Sequence, residues 1–138
     1  MKSSNVIGSI KPKETYIPEQ KGTIVIADDD IAILDAMKLM LEFYNFEVVT
    51  IADGDIVPKL LSMQPKLLFL DICMSGVDGR DICRALKAIE ATKDIPVIMI
   101  SANCDLIRTA EDSGADDYLA KPFGMQDLLS KVNKYLLN

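Results

Sequence analysis

The sequence predicts an α/β fold: a doubly wound parallel sheet of five strands with helices on both faces. Three observations predict it. Short, unbroken apolar runs rich in Val, Ile and Leu recur along the chain, stretches of helical period separate them, and Pro and Gly punctuate the joins. Unbroken apolar runs suit strands buried on both faces, which is the condition of a parallel sheet. Alternating strands and helices then build right-handed crossovers that cover the sheet on either side.

The elements follow in order. Thr23–Ala27 (TIVIA) is the first strand. Ile33, Leu34, Met37, Leu41 and Tyr44 then share one face of a first helix. Glu47–Ile51 reads as a weaker second strand and Asp55–Met63 as the second helix. Leu67–Leu70 (LLFL) is the third strand, approached through Pro65, and Gly79–Ala91 the third helix. Val97–Ile100 (VIMI) follows Pro96 as the fourth strand, and Asp105–Ser113 is the fourth helix, with Gly114 as its C-terminal cap. Tyr118–Ala120 is a weak fifth strand and Met125–Leu137 the last helix. Residues 1–22 have no sustained periodicity, carry four lysines against two glutamates and hold Pro12 and Pro18. They read as a flexible leader, with a docking arm or an added strand as the alternative.

In such sheets ligands bind outside the carboxyl ends of the strands, so the residues that end the strands matter most. The first strand runs into Asp28, Asp29 and Asp30, the third into Asp71, the fourth into Ser101, and the fifth into Lys121 and Pro122. Singly, each has an ordinary reading: Asp30 as the cap of the first helix, Asp71 as a turn residue before Gly76 and Gly79, Ser101 as another cap, Lys121 as a solvated charge. Their meeting at one rim does not. Asp28, Asp29 and Asp71 in one cleft repel unless a cation joins them, and Lys121 supplies a single positive charge. A hard divalent ion with oxygen ligands completes the balance, Mg²⁺ first, with Mn²⁺ plausible. A carboxylate facing a metal and an ammonium group can accept a phosphoryl group as an acyl phosphate, with the Ser101 hydroxyl donating to a phosphoryl oxygen.

Composition narrows the function further. The 138 residues suffice for one domain with its own core and are too few for two. There is no histidine, which excludes His-based metal sites, Ser-His-Asp chemistry and a phosphohistidine on this chain. A net charge of −6 argues against direct contact with nucleic acid, which needs clustered Lys and Arg. Cys73, Cys83 and Cys104 form no C-x-x-C pair and read as reduced thiols. No apolar run reaches the length of a membrane span, and none after Lys2 resembles a signal peptide, so no membrane partner and a cytoplasmic location are expected.

Four segments, IVIADDD, LLFLDICMSGVDG, IMISA and DDYLAKPF, stand in an order and spacing that resemble the receiver domain of two-component response regulators, from Thr23 to Asn138. The resemblance implies the flavodoxin-like strand order 2-1-3-4-5 of chemotaxis-type receivers. It implies Asp71 as the phosphoacceptor, served by a histidine kinase or phosphotransfer protein. It implies Asp29 as a direct Mg²⁺ ligand, Asp28 as a ligand through water and the Cys73 backbone carbonyl as a further ligand. Lys121 pairs with the phosphoryl group ahead of a cis Pro122, Ser101 moves toward it, and Tyr118 either switches rotamer with it or simply packs beside the sheet. The face of the fourth helix, fifth strand and fifth helix then changes its affinity for an output protein, or for a second copy of the chain. Phosphorylation and dephosphorylation at Asp71 are the only chemistry implied, with no turnover of an outside substrate. The sequence departs from the family pattern at Ser75, where proline is usual, and in the stretch from Ser101 to Gly114, about two residues short. Cys73 and Asn103 occupy variable positions expected to tune phosphoryl lifetime.

No basic helix-turn-helix follows the last helix, so a switch without an output domain of its own is expected. Two other readings remain open at this point. The D-x-D of Asp28 and Asp30 resembles phosphatases of the haloacid dehalogenase type, with Asp28 as nucleophile. A receiver-like scaffold that never takes phosphate is the other.

Overall fold

The computed structural model describes residues 22–53, 55–74, 76–102 and 106–137. The expectations for the leader before Gly22, for Ser75, and for Asn103 and Cys104 lie outside the described residues. Along the chain come β1 (Thr23–Ala27), α1 (Ile31–Phe43), β2 (Glu47–Ile51), α2 (Ile56–Met63), β3 (Leu67–Asp71), β4 (Cys73–Met74), β5 (Val77–Asp78), α3 (Gly79–Ala88), β6 (Val97–Ser101), α4 (Leu106–Ser113), β7 (Asp117–Ala120) and α5 (Met125–Leu136). The main sheet is parallel throughout with the order β2-β1-β3-β6-β7, as the family resemblance implies.

The apolar runs are long enough to face both ways. Val25, Ala27, Leu68, Leu70, Val97 and Met99 point to one side, where Ile56 and Leu60 of α2, Ile82 and Leu86 of α3 and Ala110 of α4 cover them. Ile24, Ile26, Leu67, Phe69, Ile98 and Ile100 point to the other, under Leu34, Met37 and Leu41 of α1 and Leu128 and Val132 of α5. This is the period-2 alternation of a strand read on both faces. Each large side chain withdrawn from water in this way contributes about 1.5–3 kcal/mol.

Local chemistry sets the boundaries. The Asp30 carboxylate accepts from the Ala32 and Ile33 amides and starts α1. Pro58 lies in the first turn of α2, where a missing N–H is tolerated. Gly114, at φ +84°, ends α4 in the left-handed conformation. Most boundaries fall within a residue of expectation, and two features depart further. The third helix stops at Ala88 instead of Ala91, because Ile89 turns extended and the buried Thr92 hydroxyl donates to the Leu86 carbonyl at 2.7 Å. Between β3 and α3, Cys73–Met74 and Val77–Asp78 pair as an antiparallel hairpin in a stretch that reads from sequence as a plain loop.

At β7, the edge strand, Asp117 forms a charged hub. Its buried carboxylate receives Lys131 at 2.9 Å, Lys134 at 3.0 Å, the Tyr135 hydroxyl at 3.0 Å and the Tyr118 amide at 2.8 Å. Burial alone pushes the Asp117 pKa upward, but these four donors outweigh it and hold it down at about 2. Since the folded value lies below the ordinary 3.8, the hub stabilises the fold above about pH 4 and loses that contribution as pH falls toward 2. Asp117→Asn is therefore expected to cost about 1–3 kcal/mol at pH 7 in urea unfolding, with the difference closing below pH 3. An unchanged midpoint at pH 7 would show that the hub does not anchor α5.

Candidate functional site

All the strand-end groups singled out above meet at one rim. Asp28 follows β1 directly, and its amide donates to the Ile51 carbonyl of β2 at 3.1 Å, which pins it to the sheet. Its Oδ1 accepts from the Asp30 amide at 2.9 Å. The consecutive aspartates thus divide their work: Asp30 turns back to cap α1, while Asp28 and Asp29 are left for the cleft. Asp71 is the last residue of β3, paired in register with Ile100 of β6. Ser101, the next residue of β6, is buried, and its carbonyl accepts from the Lys121 amide at 2.9 Å. The Lys121–Pro122 peptide is cis. Cys73 begins β4, two residues beyond Asp71, with an exposed free thiol. Tyr118 is half-buried against the face covered by α2, α3 and α4, with the Lys131 ammonium 5.2 Å from its ring centre.

Asp28, Asp29 and Asp71 each offer an oxygen, and the three atoms lie within 4.8 Å of one another. Asp28 and Asp71 are buried, and Asp29 is the least covered of the three. Lys121 Nζ lies 2.9 Å from Asp28 Oδ2 and 3.6 Å from Asp71 Oδ1. Asp28 Oδ2 is fully buried and takes no hydrogen bond of good geometry, so the ammonium is its sole compensation among the described residues. Burial, then the charge of Asp28, raises the Asp71 pKa to about 6 against the pull of Lys121. Burial works against the Lys121 charge as well, but the Asp28 carboxylate 2.9 Å away and the charge of Asp71 prevail and raise its pKa. Among the described residues Lys121 is the ammonium that faces both Asp28 and Asp71, and one positive charge does not balance two buried carboxylates. The donor set is all oxygen, and one of its atoms is buried without a hydrogen bond. Both features fit a small hard divalent cation.

Beside Lys121 and Pro122 an apolar cavity of about 420 Å³ opens between Ile33, Ala36, Met37 and Met40 of α1 and Phe123. On the outer side of α1, Ile31, Leu39 and Phe43 are exposed. Of these, Ile31 opens the helix directly after the aspartates of the rim, while Phe43 closes it at the opposite end of the sheet.

Comparison with known proteins agrees with this geometry. The family model for the response regulator receiver domain matches residues 24–133. The DNA-binding dual master transcriptional regulator RpaA of Synechocystis sp. is 40% identical over 116 residues, covering 82% of this chain and 48% of that protein. The DNA-binding response regulator MtrA of Mycobacterium tuberculosis is 31% identical over 116 residues, covering 82% of this chain and 50% of that protein. Among solved structures, a putative response regulator from Chloroflexus aurantiacus superposes with a TM-score of 0.80 at 30% identity, covering 86% of this chain and all of that one (100%). The receiver domain of the Pseudomonas aeruginosa sensor histidine kinase PA1611, whose structure holds magnesium in its active-site cleft, shares the fold with a TM-score of 0.77 at 24% identity, over 85% of this chain and 98% of that one.

These relatives correct one expectation. Direct contact with nucleic acid was excluded on the net charge of −6, yet RpaA and MtrA are both named as DNA-binding. The chain spans about half the length of the curated relatives it matches. Net charge describes only the segment over which it is summed, and an acidic segment is compatible with DNA-reading residues elsewhere in a longer protein. On the membrane, no helix among the described residues is long and apolar enough to cross one.

Proposed function

This chain belongs to the response regulator receiver domain family of two-component signalling proteins, and from that premise we propose that it is a phosphorylation-controlled switch that takes a phosphoryl group on Asp71. The observation that carries this reading is the convergence of three aspartate oxygens within 4.8 Å of one another beside Lys121. A D-x-D phosphatase centred on Asp28 fits less well, because the Asp30 carboxylate, the second acid of that motif, is turned away to cap α1 through the Ala32 and Ile33 amides.

Asp29 and Asp71, with Asp28 through water and the Cys73 carbonyl, would hold Mg²⁺, and Mn²⁺ suits the same oxygens. Bound there, the metal supplies positive charge to the oxygens of the incoming phosphoryl group. The chain's own residues do the rest. An Asp71 oxygen attacks phosphorus, the new P–O bond forms as the phosphorus–nitrogen bond of a donor phosphohistidine breaks, and the imidazole leaves with the bonding electron pair. Lys121 faces the same oxygens and offsets the charge that Asp71 gives up its proton to carry. The Ser101 hydroxyl donates to a phosphoryl oxygen, and Tyr118 follows it. Water later attacks the acyl phosphate at phosphorus, releasing inorganic phosphate and returning Asp71 to the carboxylate, the one hydrolysis this reading assigns to the chain.

The donor is a histidine kinase or phosphotransfer protein, and the apolar side chains that α1 exposes along its length favour a protein over a small metabolite in that role. We read the receiver domain as Thr23–Asn138, in the cytoplasm, where the free thiols of Cys73 and Cys83 stay reduced. By likeness to RpaA and MtrA, the output is control of DNA binding by residues coupled to this receiver.

Incubation with Mg²⁺ and acetyl phosphate, followed by intact mass, tests the reading. One phosphoryl group is expected on the protein, absent when the metal is chelated. No adduct, together with no binding of beryllofluoride, would leave the scaffold reading in its place.

A further inference from the structure

We infer that Gly79 is a positioning residue of the cleft: the absence of its side chain lets the first turn of α3 lie against the Asp71–Ile72 peptide and sets where the chain goes after Asp71. A Cβ built on Gly79 would collide with the Asp71 carbonyl oxygen and stand 2.9 Å from Ile72 Cα and 3.1 Å from the Asp71 carbonyl carbon. All three are backbone atoms of the segment that carries Asp71, so no flexible side chain can give way. The approach is bonded as well as close. The Gly79 amide donates to the Ile72 carbonyl at 2.7 Å, and the Ile72 amide donates to the Ile100 carbonyl of β6 at 3.0 Å. The peptide that follows Asp71 is therefore held between β6 on one side and α3 on the other.

The consequence reaches the three aspartates. The carbonyl that Gly79 faces and the carboxylate of Asp71 hang from one Cα, so pushing the first also shifts the second relative to Asp28 and Asp29. The hairpin carries the same displacement, because Cys73 pairs with Asp78, the residue before Gly79. Both the Asp71 carboxylate and the Cys73 carbonyl thus take their positions from the contact at Gly79. Sites of this kind lose function when their groups move by about an ångström. Gly76, in the same hairpin, provides the contrast. Its φ of +71° demands glycine for conformational reasons, but a Cβ there meets no atom within 4 Å. Gly76 is needed for the turn, Gly79 for the position of Asp71.

This inference rests on the metal-binding reading above, and its test separates the two. Mg²⁺ is titrated calorimetrically into the wild type, Gly79→Ala and Gly76→Ala, with the melting temperature of each recorded. Both variants are expected to melt earlier. Gly79→Ala is expected to bind Mg²⁺ at least about tenfold more weakly, while Gly76→Ala stays within about twofold of wild type. If Gly79→Ala does not fold in buffer, the titration is run in trimethylamine N-oxide, which favours the compact state. On the wild type, hydrogen exchange at the Gly79 amide should be slow and slow further with Mg²⁺. A folded Gly79→Ala with wild-type affinity, equal loss in Gly76→Ala, or a Gly79 amide exchanging at the solvent rate would each overturn the role assigned to Gly79. A wild type that binds no Mg²⁺ would overturn the metal reading itself, and this inference with it.

Discussion

Asp71→Asn is expected to end phosphoryl acceptance completely and, in the absence of metal, to raise the stability of the protein at pH 7. The first effect follows from losing the nucleophile. The second follows from electrostatics: Asp71 is buried beside Asp28, and its pKa stands at about 6 instead of 3.8. The folded state therefore holds a proton that the unfolded state releases between about pH 4 and pH 6. Stability falls as pH rises through that window, and above it the ionised Asp71 weakens the fold by up to about 3 kcal/mol. Asparagine removes this strain, so a gain of about 1–3 kcal/mol is expected at pH 7, shrinking toward zero near pH 4. Urea unfolding with chelator at several pH values measures it. Mg²⁺ should reverse the order, since binding stabilises the wild type and the variant has lost a ligand. A variant less stable than wild type at pH 7 without metal would mean that Lys121 already neutralises the cleft.

Lys121→Met is expected to separate metal binding from phosphoryl transfer. Lys121 Nζ is the cation that faces both Asp28 Oδ2 at 2.9 Å and Asp71 Oδ1 at 3.6 Å. Methionine keeps much of the length and apolar stem but removes the charge. Phosphorylation by acetyl phosphate is expected to slow by about 10²–10³-fold, the usual effect of removing one well-placed charge donor from a reacting oxygen. Mg²⁺ affinity is expected to hold or to rise, because the competing ammonium has gone. Without metal the variant should lose about 1–3 kcal/mol at pH 7, since two buried carboxylates are left to repel each other. A variant that is phosphorylated at the wild-type rate, or that loses Mg²⁺ along with phosphorylation, would remove Lys121 from the role of a charge partner for the phosphoryl group.

The features legible in advance were those written in single residues at strand ends. Asp28, Asp29, Asp71, Ser101 and Lys121 come together at the rim because each closes or follows a strand of one parallel sheet. Parallel strands put all their carboxyl ends on the same side, so chain order alone brings such residues together. Asp30 was readable as a cap for a similar reason, since capping is settled within one turn of helix. The exclusion of nucleic acid failed because net charge is a property of a segment and says nothing of residues beyond it.

From the sequence alone came the fold class, the strand order by resemblance, and the membership of the cleft, because periodicity and strand ends are local signals. Tertiary structure alone decided the rest: the hairpin of Cys73–Met74 with Val77–Asp78, the early stop of α3 at Ala88, the Asp117 hub and the contact of Gly79 with Asp71. The end of α3 hangs on where the Thr92 hydroxyl reaches, the hub on α5 laying Lys131 and Lys134 against β7, and the glycine contact on how closely one backbone passes another. None of these has a period or a spacing, since each is a distance between segments that exists only once the sheet and its helices have packed.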